Sequence, residues 1–96
     1  MRVRFSDEAL AKLRAIHAYI AQDSPKNAAG MIDRITRCAE RTGDVPRLGR
    51  KVPEYNLDTL RQAMERPYRI IYRIDPDEIV IVTVMHYRQL LPEDLA

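Results

Sequence analysis

Basic residues crowd one stretch of this chain: Arg47, Arg50, Lys51, Arg61, Arg66, Arg69 and Arg73, opposed there by Glu54, Asp58 and Glu65. Apart from Lys12, Lys26 and Lys51, every cationic side chain in the sequence is an arginine. A guanidinium is planar and holds a carboxylate or phosphate through two parallel hydrogen bonds, so the stretch suits recognition of an anion. Acidic residues gather elsewhere, at Asp7-Glu8, at Asp75-Pro76-Asp77-Glu78 and at Glu93-Asp94. The imbalance predicts one basic side, attractive to an anionic partner, although the formal net charge is only +2. Further along, His86 adds an imidazole, a group suited to proton transfer, and Arg88 adds another cation. Each has a plainer role to set beside it. Arg69 and Arg73 share a strand face and pair across a sheet with carboxylates such as Glu65 or Glu78; Arg47, Arg50 and Lys51 belong to a solvated loop; His86 packs at a strand end.

Other chemistries lack their residues. No His, Cys or carboxylate cluster has metal-ligand spacing, and no glycine-rich loop could cradle a nucleotide, so neither metal nor cofactor is expected. Cys38, the sole cysteine, lies on an apolar helical stripe and reads as a small core residue. It cannot form an internal disulfide, which suits a reducing compartment. His17 lies beside an apolar stripe and reads as surface. There is no run of about 18 apolar residues, so no membrane span is expected. The opening Met1-Arg2-Val3-Arg4-Phe5 is charged and alternating, unlike a signal peptide. These features give a cytoplasmic expectation and one domain over residues 1–96.

The elements that must position the arginines centre on residues 66–88. Two runs rich in Ile, Val and Tyr flank Asp75-Pro76-Asp77-Glu78, which predicts a β-hairpin. In the first arm Tyr68, Ile70, Tyr72 and Ile74 share one face, and Arg69, Ile71 and Arg73 the other. The second arm, Ile79 to Val84, is nearly all apolar and reads as a central strand. Val3 to Phe5 predicts a short strand. Ser6 caps a helix carrying Leu10, Leu13, Ile16, Ala18 and Ile20, with Tyr19 at its border. Ser24-Pro25 opens a second helix with Ala28, Met31, Ile32, Ile35, Cys38 and Ala39 inward, ending at Thr42-Gly43 with glycine as a left-handed cap. Residues 44–58 read as loop, and Thr59 to Met64 as a strand before the hairpin. The expected fold is α+β: a small antiparallel sheet, made of a three-stranded hairpin unit plus the N-terminal strand, covered by an N-terminal helical hairpin in β-α-α-β-β-β order. The tail from Gln89 reads as a short helical turn or irregular chain.

With these pieces in order, the chain resembles the RelE/ParE superfamily of bacterial toxins, in its ParE-type branch. The resemblance rests on the strand and Ser at the start, the two-helix hairpin, Pro46-Arg47-Leu48-Gly49-Arg50, Leu60-Arg61, Tyr68-Arg69-Ile70-Ile71-Tyr72-Arg73-Ile74 and Val84-Met85-His86-Tyr87-Arg88. It implies the toxin of a type II toxin–antitoxin module, causing growth arrest and serving plasmid or genome maintenance. RelE-like members cut mRNA on the ribosome; ParE-like members inhibit DNA gyrase by binding. Both are neutralised by an antitoxin whose C-terminal segment wraps the toxin.

RNA cleavage needs a base for the 2′-OH, cations for the phosphate and an acid for the leaving oxygen. Carrying the RelE pattern over places Arg69 and Arg88 at phosphate-contacting positions and Arg61 at the first of two basic residues spaced i, i+2. The second falls on Ala63, and the late tyrosine falls in Pro92-Glu93-Asp94-Leu95. The resemblance therefore favours a gyrase-binding inhibitor with no catalytic residues, partnered by a ParD-like antitoxin and making no sequence-specific nucleic-acid contact. Its target-binding residues are expected to be Arg61, Arg69, Arg73, Arg88, Leu90 and Leu91. The alternative is a ribosome-dependent mRNA endonuclease using Arg69, His86 and Arg88. For the antitoxin, Leu13, Ile20, Met31 and Ile35 are the expected contacts, since a disordered partner can lay apolar anchors along the helical hairpin.

Overall fold

The computed structural model describes residues 1–92. Element order is β1 (Arg2–Phe5), α1 (Asp7–Ala21), α2 (Pro25–Asp44), β2 (Arg50–Lys51), β3 (Leu60–Glu65), β4 (Tyr68–Ile74) and β5 (Glu78–His86). They form one five-stranded sheet in the order β1-β5-β4-β3-β2. β1 runs parallel to β5, and every other neighbouring pair is antiparallel. The α+β hairpin-on-sheet architecture expected from sequence is present. The strand absent from the expectation is β2, inside the stretch read as loop. Only two residues pair there, Arg50 with Gln62 and Lys51 with Arg61, too few to leave a periodic signal.

Alternation decides which side chains meet the helices. Ile70 and Tyr72 of β4, with Ile79, Ile81 and Val84 of β5, are buried against Ala9, Ile35, Cys38 and Ala39. Tyr68 and Ile74 border this cluster, so the face predicted for the first arm is the helix-facing one. The other face holds a smaller cluster of Val52, Leu60, Ile71, Met85 and Leu91. The helix-facing residues Ile81 and Val84 are three apart because pairing steps from Tyr72↔Ile81 to Ile71↔Thr83, leaving Val82 as an extra residue. That bulge reverses inside and outside for the rest of β5.

Ser6 ties the first helix to this point. Its hydroxyl accepts from the Ala9 N–H at 3.0 Å, capping α1, and donates to the Val82 carbonyl at 2.7 Å. Ser24 caps α2 in the same way through the Asn27 N–H, with Pro25 following. The α1 stripe is rotated from its expected position. Ala9 is its buried residue, while Leu10 and Ala18 face solvent.

Gly43 is not a left-handed cap. It lies within α2, no glycine has positive φ, and the helix runs on to Asp44 with Val45 as its cap. Glycine is required for close approach instead. A Cβ there would collide with the Met1 carbonyl oxygen and stand 2.8 Å from a Val3 methyl, while the Gly43 carbonyl accepts from the Met1 ammonium at 2.7 Å. Since the obstacle is backbone, Gly43→Ala should destabilise the fold by about 2–3 kcal/mol, whereas Gly30→Ala, inside α2 and with a Cβ that would touch only an Arg34 side-chain nitrogen at 3.6 Å, should stabilise it by about 0.5–1 kcal/mol. Urea denaturation of the two variants checks this.

Candidate functional site

On the sheet face away from the helices lies an open cleft of about 680 Å³, lined by residues of β2, β3, β4, the 53–54 turn and the chain after β5. Its floor is Arg69. Cross-strand pairing with Met85 and a place beside Ile71 put this side chain on the helix-free face, where it is 5 % exposed. Burying a cation costs several kcal/mol unless it is paired and fully hydrogen-bonded. Both conditions are met. Nη1 and Nη2 each donate to a different Glu54 carboxylate oxygen at 2.9 Å, Nη1 also donates to the Gln89 carbonyl at 2.9 Å, and Gln62 Oε1 accepts from Nε at 3.1 Å and from Nη2 at 2.7 Å. A guanidinium has five N–H donors, and this one makes five hydrogen bonds.

Glu54 reaches that position from a turn in which the Val52 carbonyl accepts from the N–H groups of Tyr55 and Asn56. Asn56 carries the turn's left-handed backbone, φ 53°, which asparagine tolerates. Hydrogen bonds from Arg69 hold the Glu54 carboxyl down to about 2, helped by the Leu91 N–H at 3.1 Å and opposed by desolvation. Leu91 is thereby drawn onto the helix-free cluster, 8 % exposed, while its neighbour Leu90 is 81 % exposed.

Above the floor stand Arg50, Arg66 and Arg88. Arg88 lies against Tyr87, with Nε donating to the phenol oxygen at 2.9 Å and the guanidinium carbon 5.4 Å from the ring centroid. Arg50 and Arg66 have no hydrogen-bond or carboxylate partner among the described residues.

The expected contact residues do not converge on this cleft as a set. Arg69, Arg88 and Leu90 line it; Leu91 lies in the cluster beside it. Arg61 is opposite Tyr72, a helix-facing residue, and therefore lies on the other face. There it donates to the Gly49 carbonyl at 2.8 Å and to Asp58. Arg73, near the distal turn, forms an ion pair with Asp75 at 2.8 Å. The carboxylates anticipated for Arg69 and Arg73, Glu65 and Glu78, are replaced by Glu54 and Asp75, because Glu65 instead meets Arg34 and Glu78 meets Arg4. His86 is opposite Tyr68 and touches its ring edge-on at 6.3 Å, which places it on the helix side rather than with Arg69 and Arg88. Its Nδ1 accepts from the Arg88 backbone N–H at 3.2 Å. Among the expected antitoxin contacts, Leu13, Ile20 and Met31 are half-buried, but Ile35 is fully buried and unavailable to a partner on this fold. Glu93 and Asp94 lie outside the described residues.

Sequence reasoning missed Glu54, Gln62 and the Tyr72 hydroxyl. Tyr72 is wholly buried, and its hydroxyl donates to the Pro46 carbonyl at 2.7 Å and accepts from the Gly49 N–H at 3.0 Å. This seats the loop that leads into β2. The one available signal was Glu54 itself, a lone acid between Lys51 and Asp58 in the basic stretch.

The chain is thus a two-helix hairpin on a five-stranded mixed sheet, with a cationic cleft on the bare face. The chain is similar over residues 3–91 to the family model for the ParE toxin of the type II toxin–antitoxin system, parDE. It is also 37 % identical over 94 residues to "Putative toxin Y4kP" of Sinorhizobium fredii, covering 98 % of this chain and 96 % of that one. The chain belongs to the ParE toxin family. Two solved structures share the fold at 24 % identity. The chromosomal ParDE system of P. aeruginosa matches with a TM-score of 0.74 over 90 % of this chain and 95 % of that one. The RelBE2 toxin–antitoxin complex of Mycobacterium tuberculosis matches with a TM-score of 0.57 over 92 % of each. No helix among the described residues is long and apolar enough to cross a membrane.

Removing Glu54 would take two acceptors from the buried Arg69 guanidinium, so Glu54→Ala should cost about 2 kcal/mol, the range for lost hydrogen bonds to a charged group. The pH dependence has a definite sign. The folded Glu54 pKa, about 2, lies below the ordinary carboxylate value, so its contribution is complete above about pH 4.5 and is lost as pH falls from there towards 2. Denaturant titrations between those limits should show wild type losing stability more steeply than Glu54→Gln.

Proposed function

We propose that this chain is a toxin that arrests growth by binding DNA gyrase, without chemistry of its own, and that a ParD-like antitoxin neutralises it. One observation carries the choice of binding over catalysis: the arginine best placed to clamp a phosphate, Arg69, already has its five hydrogen bonds within the protein. Acid–base catalysis beside that arginine would need a titratable group on the same face. His86 lies on the opposite one, Glu54 is held as an ionised hydrogen-bond acceptor, and the Tyr87 hydroxyl, on the right face, already accepts from Arg88 Nε at 2.9 Å. Membership of the ParE family supports the same reading.

The antitoxin half follows from family membership and from the surface of α1. Leu10 is 40 % exposed and Tyr19 72 %, with Leu13 and Ile20 half-buried beside them. A disordered segment folding onto this helix would cover those side chains and offset its ordering entropy by apolar burial. The P. aeruginosa relative of this fold was solved as a ParDE system.

The deciding experiment is DNA supercoiling by purified gyrase with the cleaved-DNA product read in the same reaction. Wild type should abolish supercoiling and accumulate linear DNA, and His86→Ala should match it within about twofold. Leu90→Asp, which charges an exposed apolar contact without disturbing the core, should raise the inhibitory concentration about tenfold. Unchanged supercoiling at saturating toxin, together with mRNA cleavage in a translation extract, would replace this reading with the endonuclease.

A further inference from the structure

Three of the four arginines that line the cleft remain once Arg69, paired within the protein, is set aside. Arg50 comes from β2, Arg66 from the turn after β3 and Arg88 from the chain after β5, yet all three line one cleft. Glu54 is the only acidic residue in that lining, and its two oxygens already accept from Arg69 and from the Leu91 N–H. No unpaired carboxylate among the described lining residues would repel an incoming anion. Apolar surface stands between the cations: Met64, Tyr87 and Leu90 are 38 %, 37 % and 81 % exposed.

We propose that this cleft grips the sugar–phosphate backbone of DNA without reading its sequence, so that the toxin contacts the DNA held by its target as well as the target protein. The proposal rests on the gyrase reading above and extends it to a ligand. Each unpaired guanidinium can meet a phosphate bidentately, a geometry that arginine satisfies and lysine does not. Arg88 is the best prepared. Its Nε is engaged by the Tyr87 hydroxyl and its plane rests over the Tyr87 ring, while neither terminal amino group has a partner among the described residues. Held against Tyr87 in this way, Arg88 has less freedom to lose when a phosphate arrives. Met64 and Leu90 offer apolar contact to deoxyribose. Among the described residues no helix or paired ribbon projects from this face, so base edges go unread and the contact is sequence-independent.

The test is fluorescence anisotropy with a labelled mixed-sequence DNA duplex of about 20 base pairs, the matching RNA duplex and a poly-glutamate peptide, all without gyrase. Three phosphate contacts predict that DNA affinity falls roughly 40-fold between about 50 and 200 mM salt. Arg50→Ala, Arg66→Ala and Arg88→Ala should each weaken binding and lower the salt slope by about 1. Arg37→Ala and Arg4→Ala, exposed cations paired with Asp33 and Glu78 away from the cleft, should leave both unchanged. The corresponding Arg→Lys replacements should keep the salt slope while losing affinity. Equal losses in the cleft and control variants would overturn the proposal, as would absence of DNA binding at the lower salt. Tighter binding of RNA, or of poly-glutamate, would overturn the assignment to DNA. The two readings fail separately. Gyrase inhibition by a chain that binds no DNA removes only this inference, whereas DNA binding with gyrase unaffected removes only the gyrase target.

Discussion

The buried pairing of Arg69 with Glu54 is the constraint on which the bare face of this protein depends. A guanidinium at 5 % exposure must be satisfied entirely from within, and no single neighbour could do it. The required acceptors come from three places: Gln62 on the adjacent strand, Glu54 in the turn after β2, and the Gln89 carbonyl beyond β5. The last two of those segments are irregular chain outside the strands. The arginine therefore acts as a polar core for a face whose apolar cluster is small. Through Glu54 it also holds the Leu91 N–H, which seats Leu91 and leaves Leu90 projecting. One charged side chain thus shapes the floor, one wall and the rim of the cleft.

The same hydrogen bonds bear on chemistry. A cation that is to stabilise a developing phosphate charge must have donors to spare at the moment of reaction. Freeing Arg69 would break contacts with Glu54, Gln62 and Gln89 together. A binding surface carries no such demand. The rim arginines, Arg50, Arg66 and Arg88, are exposed, so they can be engaged without dismantling anything.

Regular elements were legible in the sequence because each is written in local signals. Ser6 and Ser24 mark helix starts, Asp75-Pro76-Asp77-Glu78 marks a reversal, and alternation in Tyr68 to Ile74 identified the face that meets the helices. What escaped was set by tertiary contact. The two-residue β2 exists because Arg50 and Lys51 lie beside β3, and Gly43 is glycine because Met1 passes against it. The α1 stripe predicted a burial that Leu10 and Ala18 do not have, since the covered arc runs through Ala9, Leu13, Ile16 and Ile20. Ile35 marks the limit of the opposite error, an apolar residue assigned to a partner that the fold itself consumes.

Strand parity explains why the candidate site was only half legible. Arg61, Arg69, His86 and Arg88 look like one constellation when read along the chain, since each sits on or just beyond one of three consecutive antiparallel strands. Facing is settled by register, and register here contains a bulge. With Val82 as the extra residue, the parity that puts Ile81 inward also puts Val84 inward, and His86 follows Val84 to the helix side. Without the bulge, His86 would point to the bare face beside Arg69, and the catalytic alternative would have its proton carrier. Arg61 is removed by simpler arithmetic, one residue from Gln62 and hence on the face opposite Arg69's acceptor. Among the described residues, the face that remains gathers Arg50, Arg66, Arg69 and Arg88 with Tyr87, while His86 and Arg61 lie on the other side of the sheet.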